Sequence, residues 1–560
     1  MRKRGIRKMA AAIRRIGRAR AMKPEQVPPA PPKKAQRETG RPDPSRLPAF
    51  EKDDLERLPV DPHLEVNIRR LGSLLGVSSD LGIRRFRIGG VVPAASVFLK
   101  GMINWRLVAA HLLEPLMLQY KPEDRGQIPD LDELVRSVIT INAVAECTDL
   151  HGVVDRLLDG SVILLVDGET KALAFDATGF DKRSPEEPMT EAVVRGPREG
   201  FIESLAANLT LLRRRLKTPN LVLESVIAGR VAHTQVTVAY VRGLAAPELV
   251  DEVKKRLGRI DIDGVLESNY LEELIRDHPL SPFPQAIVTE RPDRVAAALL
   301  EGRVALLMEN TPFVLIVPGE FVAHMQSAED YYHHFTLGFF IRVLRWGAFA
   351  ASLLLPSIYV AVTTFHQEMI PTRLLLNIVA AREGVPLPAV VEALVMEVAF
   401  EILREAGVRL PRAVGQAVSI VGALVIGEAA VTAGIVSPLM VIVVALTGIA
   451  SFLTPSFDLA FTVRIMRFPM MLLAGSLGLF GVVTGILAIL IHLAGLRSFG
   501  VPYLAGLAPF HPGDWKDIVA RAPVWMMQKR PVELANENRR RQAPGLKPRP
   551  PGSRRKGGII

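Results

Sequence analysis

The sequence predicts an α/β soluble N-terminal region, built from two related α/β subdomains, followed by an all-α multi-pass transmembrane domain. Three observations carry this expectation. Long apolar runs cluster between Trp346 and Leu496, and about 20 apolar residues make a helix of roughly 30 Å, the thickness of bilayer hydrocarbon. Ahead of them, helical and strand patterns alternate. Within that region one short string occurs twice, 142 residues apart.

The totals fit such a chain. Its 560 residues leave room for several domains, and its net charge of +11 sits in the tails. Residues 1–50 carry 15 Lys and Arg against 3 acids, residues 529–560 carry 10 against 2, and the body between is mildly acidic. Segments so rich in charge, Pro and Gly bury too little apolar surface to offset chain entropy, so a disordered basic tail is expected over 1–62 and a second basic tail over 501–560. Nucleic acid is not the expected partner. Anionic lipid at the cytoplasmic face of a bilayer is one use for these charges, and solubility is the other. Cys147 is the only cysteine, which leaves no intrachain disulfide and no thiolate cluster and suits a cytosolic soluble region. The N-terminal 20 residues have the charge of a signal peptide but only MAAAI as an apolar run, so a cleaved signal is not expected.

Folded structure is expected to begin near residue 63, where Leu64, Ile68, Leu71 and Leu75 repeat at helical spacing. A first subdomain over 63–190 contains a strand at 138–145, a helix in DLHGVVDRLLD, a stop at Gly160, and two strands about the Asp167-Gly168 turn. The second, over 191–330, returns LLDGSVILL as LLEGRVALL. That is an internal duplication, or a chance recurrence of helix, glycine stop and hairpin. Between the copies, Phe201, Leu205, Leu209, Leu212 and Leu216 stripe a helix ending in Arg213, Arg214 and Arg215. These arginines suit a solvated, salt-bridged helix end better than an anion or partner site. His333 and His334 point apart on a helix and do not suggest a metal.

The membrane domain is expected over 331–500, with spans at about 346–365, 413–434, 437–457 and 468–496. The last is longer than a bilayer is thick, so it should tilt, bend or protrude. Tyr331, Tyr332 and Trp346 suit the headgroup zone as interface anchors, and Arg342 and Arg345 before the first span, with Arg497, Lys516 and Arg521 after the last, place both termini in the cytoplasm. Gly475, Gly478, Gly481 and Gly485 offer a face for close helix packing. Residues 385–405 read as an amphipathic helix with Glu397, Glu401 and Glu405 on one stripe. Those acids either lie in water at the interface or line a cation path. Glu428 interrupts a span, where an acid is costly and faces a bundle interior or an aqueous cavity. P-loop, dinucleotide, GxSxG and HExxH patterns are absent from the sequence, so no catalytic site, cofactor or metal is expected.

Several strings, in order, then resemble one family: EAVVRGPREGFIESLAANLTLLRRRLKTPNL, SPFPQAIVTERPDRVAAALLEGRVALL, LPSIYVAVTTFHQEMIPT, REGVPLP, REAGVRLP, VGALVIGEAAVTAGIVSPLMVIVVALTGIASF and SFGVPYLAGLAPF. They resemble the A subunit of GerA-type spore germination receptors, a family that includes an A-like paralogue encoded with dipicolinate-channel genes. The resemblance covers about residues 64–525. It implies a multi-pass protein of the spore inner membrane that oligomerises and couples nutrient sensing to ion release. It also implies a B subunit resembling amino-acid transporters and a C subunit lipoprotein as partners. Under that resemblance Glu397, Glu401 and Glu428 are the expected ion path; the alternative is a non-conducting scaffold or the paralogue. The chain departs from the family pattern at Glu428, where glutamine is usual, and at Gly506 and Leu507, which enlarge the segment before APF.

Overall fold

The computed structural model describes residues 43–46, 49–50, 55, 58–75, 78–120, 131–141, 144–179, 187–188, 190–410, 427–534 and 538–548. The elements below belong to one compact unit beginning at Pro44. The expected N-terminal tail over 1–62 lies largely outside the described residues, as does most of the expected span 413–434, of which residues 427–432 are helical.

Two five-stranded antiparallel sheets form the soluble region. The first holds helix α1 (Leu64–Leu74), strands β1 (Leu81–Ile88) and β2 (Val92–Leu99), helix α2 (Leu131–Ser137), β3 (Val144–Cys147), α3 (Leu150–Leu158), β4 (Ser161–Val166) and β5 (Ala172–Asp176). The second holds α4 (Leu205–Arg215), β6 (Leu221–Ala228), β7 (Thr234–Val241), α5 (Pro247–Leu257), α6 (Ser268–Ile275), β8 (Ile287–Thr289), α7 (Pro292–Glu301), β9 (Val304–Met308) and β10 (Val314–Val317). Strand orders β1-β2-β4-β5-β3 and β6-β7-β9-β10-β8 are identical in pattern. The recurring string falls at the same place in both, where α3 leads to β4 and α7 to β9. Gly160 and Gly302 end these helices at φ +92° and +100°, a left-handed conformation that glycine takes without a Cβ penalty. The β3 strand lies some residues beyond the expected 138–145, because Ile139 and Ile141 face the core between α2 and β3 instead of joining the sheet.

The two subdomains are bolted together by a residue expected in solvent. Arg213 is 1% exposed; its Nε donates to Asp80 Oδ2 at 2.8 Å and its Nη2 to Ser78 Oγ at 2.7 Å. Arg214 and Arg215 pair instead with Glu199. The apolar stripe of α4 faces its own sheet, and that rotation turns Arg213 toward the loop before β1.

The C-terminal half is helical: α8 (Phe335–Phe365), α9 (Thr372–Arg382), α10 (Ala389–Arg409), α11 (Pro438–Ser451) and α12 (Phe457–Gly495). Among the described residues, α8 and α12 are long and apolar enough to cross a membrane. The run 468–496, expected as one span, is part of α12, which doubles back at Gly478. There the backbone leaves helical geometry at φ 61°, ψ −142°. Thr462 Oγ1 donates to the Pro282 carbonyl and His492 lies 2.9 Å from Ser281 Oγ, whereas a straight helix would part residues 462 and 492 by about 45 Å. Residues 457–477 and 479–495 are therefore two antiparallel limbs. At the bend a Cβ on Gly478 would lie 2.7 Å from the His366 ring; one on Gly481 would lie 2.1 Å from the Leu473 carbonyl oxygen. Gly475 meets Val390 of α10, and Gly485 meets Met470.

Polarity in this half runs opposite to that of a water-soluble fold. Arg342, Arg467, Glu392 and Glu397 are buried, while Phe340, Leu472, Phe480 and Ile491 point outward.

Candidate functional site: two buried charge clusters joined by one helix

The first cluster lies where α8 leaves the soluble region. Its centre is Asp330, 2% exposed, on the short turn of helix Glu329–Tyr332. Arg345 grips it end-on, with Nη1 and Nη2 each 2.9 Å from a carboxylate oxygen. Arg342 donates from Nε at 3.2 Å and Nη2 at 3.1 Å to Oδ2. Its remaining Nη1 reaches Asp517 Oδ1 at 2.9 Å, and Asp517 also accepts from Tyr331 at 2.8 Å. Asp517 belongs to the segment after α12, so this cluster ties the soluble region, the first turns of α8 and the C-terminal segment together. Paired this way, the buried charges offset one another's desolvation, and losing one partner would leave the others uncompensated.

The three residues expected as interface anchors each contact protein. Tyr331 is half-buried with its hydroxyl on Asp517, and burial followed by the nearby carboxylate pushes that hydroxyl well above the usual tyrosine range. Tyr332 donates to Asp293, and burial first, then that bond, pushes it up to about 12. Trp346 packs edge-on against Phe321 with centroids 5.8 Å apart. Helix α8 starts at Phe335, so one side of its first three turns, with Gly338, Arg342 and Arg345, packs against protein while Phe339, Phe340 and Val343 face outward. Arg342 and Arg345, read from sequence as orientation signals, are the cluster itself.

The second cluster lies inside the helical bundle. Arg467 of the first α12 limb donates from Nη1 to Glu397 of α10 and from Nε to the Ser352 carbonyl of α8 at 2.8 Å. Next to it, Glu401 accepts from Arg464 at 3.1 Å and from Arg404 at 3.5 Å, and Arg404 reaches Ser451 Oγ at 3.1 Å. Of the three acids on the stripe of the helix expected over 385–405, Glu397 is buried and Glu401 half-buried against arginines, and Glu405 is exposed. Val390 packs on Gly475 and Phe400 on Gly448, so α10 runs within the bundle, and burial drives Glu397 and Glu401 onto arginines. Farther up α10, Glu392 accepts from the Ser437 backbone N–H at the start of α11. Glu405 pairs with Arg409 in solvent. Glu428 joins neither cluster: it is exposed on the single chain, and its backbone carbonyl accepts from Thr432 Oγ1.

Helix α8 connects the clusters. Its Arg342 and Arg345 hold Asp330, and its Ser352 carbonyl, two turns on, receives Arg467. The spacing of the arginines could have shown this: Glu397 and Glu401 step by four on one helix, Arg464 and Arg467 by three on another, and two such ladders match across a helix pair. Groups of His, Cys, Asp and Glu able to hold a metal ion are absent among the described residues.

Comparison with known proteins identifies the family. The profile of the family described as Bacillus/Clostridium GerA spore germination protein matches residues 69–533. The chain is 46% identical over 488 residues to the uncharacterised membrane protein YfkQ of Bacillus subtilis, covering 87% of this chain and 94% of that one. It is 46% identical over 497 residues to spore germination protein KA of the same organism, covering 88% and 91%. To spore germination protein GerLA of Bacillus cereus it is 40% identical over 465 residues, covering 83% and 94%. Among solved structures, the N-terminal domain of the A subunit of the Bacillus megaterium germinant receptor GerK3 matches at 35% identity with a TM-score of 0.39, over 47% of this chain and 97% of that one. The chain belongs to the GerA family of spore germination proteins.

Proposed function

We propose that this chain is the A subunit of a nutrient germinant receptor: an oligomeric component of the spore inner membrane that couples germinant sensing by a partner to ion release. One observation carries the reading. A single helix, α8, is fixed by buried ion pairs to the soluble region at Asp330 and to the bundle at Arg467, so displacement of one end must load the other. The outward apolar faces of α8 and α12 favour a bilayer around the bundle, with the charge pairs turned inward as intramembrane charges are. Both ends of the bundle chain, Phe335 and Gly495, lie on the side of the soluble region, which supports a cytoplasmic N-terminal domain and C-terminal segment. A B subunit resembling amino-acid transporters and a lipoprotein C subunit complete the receptor, and the chain acts without catalysis.

In this reading Glu397 and Glu401 are locked by Arg467, Arg464 and Arg404 in the closed state, and any path they line opens only when those pairs exchange. Glu428 faces outward from one chain, so it contributes to a path only against a second copy. The same pairs favour a second reading, a non-conducting scaffold, because a neutralised carboxylate row offers a cation little attraction. Flux of monovalent cations into liposomes holding the purified chain, alone and with its B and C partners and candidate nutrients, separates them. Nutrient-gated flux supports the receptor-channel reading. Absence of flux in every combination, with nutrient germination still lost on deletion of the gene, supports the scaffold.

A further inference from the structure

The segment after α12, expected as a loose basic tail, instead folds over the second subdomain. Arg530 Nε donates to the Leu300 carbonyl at 2.7 Å, Arg541 pairs with Glu301 at 3.5 Å, and Arg530 N and Arg541 N bond back across a narrow hairpin to Arg539 and Gln528. Between this strap and the subdomain lies a cavity of about 260 Å³.

Charged side chains and an apolar wall share the lining of the cavity. Glu320 and Arg303, 3% and 5% exposed, line it together. Arg303 donates to Glu320 Oε2 and to the Pro318 carbonyl. Glu320 Oε1 is buried and accepts from no group. Val322, Ile518, Met526 and Met527 supply apolar wall. The other acids are occupied or held elsewhere: Glu301 by Arg303 and Arg541, Asp517 by Arg342, Glu533 by His511, and Asp514 by the Val532 backbone N–H at 3.3 Å. The lysines at the cavity, Lys516 and Lys529, are exposed and can keep their water.

We propose that this cavity is a binding site for a small organic ammonium compound, its N–H donors on Glu320 Oε1 and a short apolar body against Ile518, Met526 and Met527. A buried acceptor left unmade is costly, and a cationic donor is the partner that recovers most, since charge-assisted hydrogen bonds are about twice as strong as neutral ones. An anion would face the same carboxylate with repulsion. A bare metal ion would leave the apolar wall unused. Gly506 lets the wall close up: it takes φ +82°, a Cβ there would lie 2.6 Å from Ile518 Cδ1, and Trp515 Nε1 donates to its carbonyl at 3.2 Å. The inference goes beyond the receptor reading, because it places a ligand on this chain itself and its test reads binding, not germination or flux.

The full chain in lipid nanodiscs is titrated by calorimetry with n-butylammonium chloride, and separately with n-butanol and sodium butyrate as uncharged and anionic counterparts. Butylammonium is expected to bind roughly tenfold or more tighter than butanol, with butyrate weakest. E320Q should abolish that preference. M526W, which fills the cavity without touching the carboxylate, should abolish binding while the melting profile is kept. Equal binding of ammonium and alcohol, no saturable ammonium binding, or a folded E320Q that keeps the preference overturns the proposal. Where E320Q fails to fold, ammonium binding that persists in M526W overturns it.

Discussion

Replacing Asp330 by Asn tests whether the junction cluster holds α8 in place. The carboxylate receives four charged N–H donors, at 3.2 and 3.1 Å from Arg342 and 2.9 and 2.9 Å from Arg345. In D330N, an amide oxygen at the Oδ2 position keeps up to three of these as weaker neutral bonds, while the amide N–H group turns toward Arg345 Nη2. Arg342 retains Asp517, but Arg345 is left buried without a counter-charge. Such removal of one partner costs about 3–5 kcal/mol, enough to lower the melting midpoint of the full chain in nanodiscs by several degrees. The double variant D330N/R345M removes the stranded charge as well, so it should melt above D330N alone, a coupling that independent sites do not show. Nutrient germination of spores carrying D330N should fall in step with the loss of anchoring. A D330N protein that melts with the parent, or a double variant whose losses simply add, refutes the reasoning.

Three further outcomes follow from the same geometry. Gly478→Ala puts a Cβ at φ 61°, ψ −142°, 2.7 Å from the His366 ring; it should cost at least about 1–3 kcal/mol, seen as a lowered melting midpoint and as lengthened distances between spin labels on the two α12 limbs. E397A strands Arg467 and should cost about 3–5 kcal/mol, whereas E397L/R467L should recover most of it, because an apolar pair of similar volume replaces a buried ion pair at little loss; melting of the three proteins decides. His324 lies with Nδ1 3.2 Å from Ser456 Oγ, and burial, then Arg294 and Arg303, pushes it down to about 3. A histidine held below its unfolded value near 6.5 stabilises fully above that pH and loses its contribution as pH falls toward 3, by about 3 kcal/mol at pH 4.5. H324N should flatten the acid limb of a melting-versus-pH profile, and an unchanged profile would show that the ring titrates freely.

What the sequence discloses about this chain divides along the range of the forces involved. The two subdomains are legible because local signals agree twice: a helix closed by glycine at 160 and at 302, then a hairpin, in sheets of one strand order. Their junction is not, since the value of Arg213 depends on Asp80, 133 residues away. In the helical half, hydropathy finds apolar runs but is blind to direction. The uniform apolar stretch after Phe468 hides the reversal at Gly478, which only a φ available to glycine permits. Reading that stretch from Phe468 also leaves Arg464 and Arg467 outside the span, as though charge marked its edge. In the folded chain they enter the bundle and meet Glu401 and Glu397 across 63 and 70 residues. Isolated, each charge argues against burial, and only the pair makes burial affordable. It follows that in a bundle like this one the charged residues nearest the ends of apolar runs are the ones to match against each other first, before any of them is read as a boundary, an anchor or an ion path.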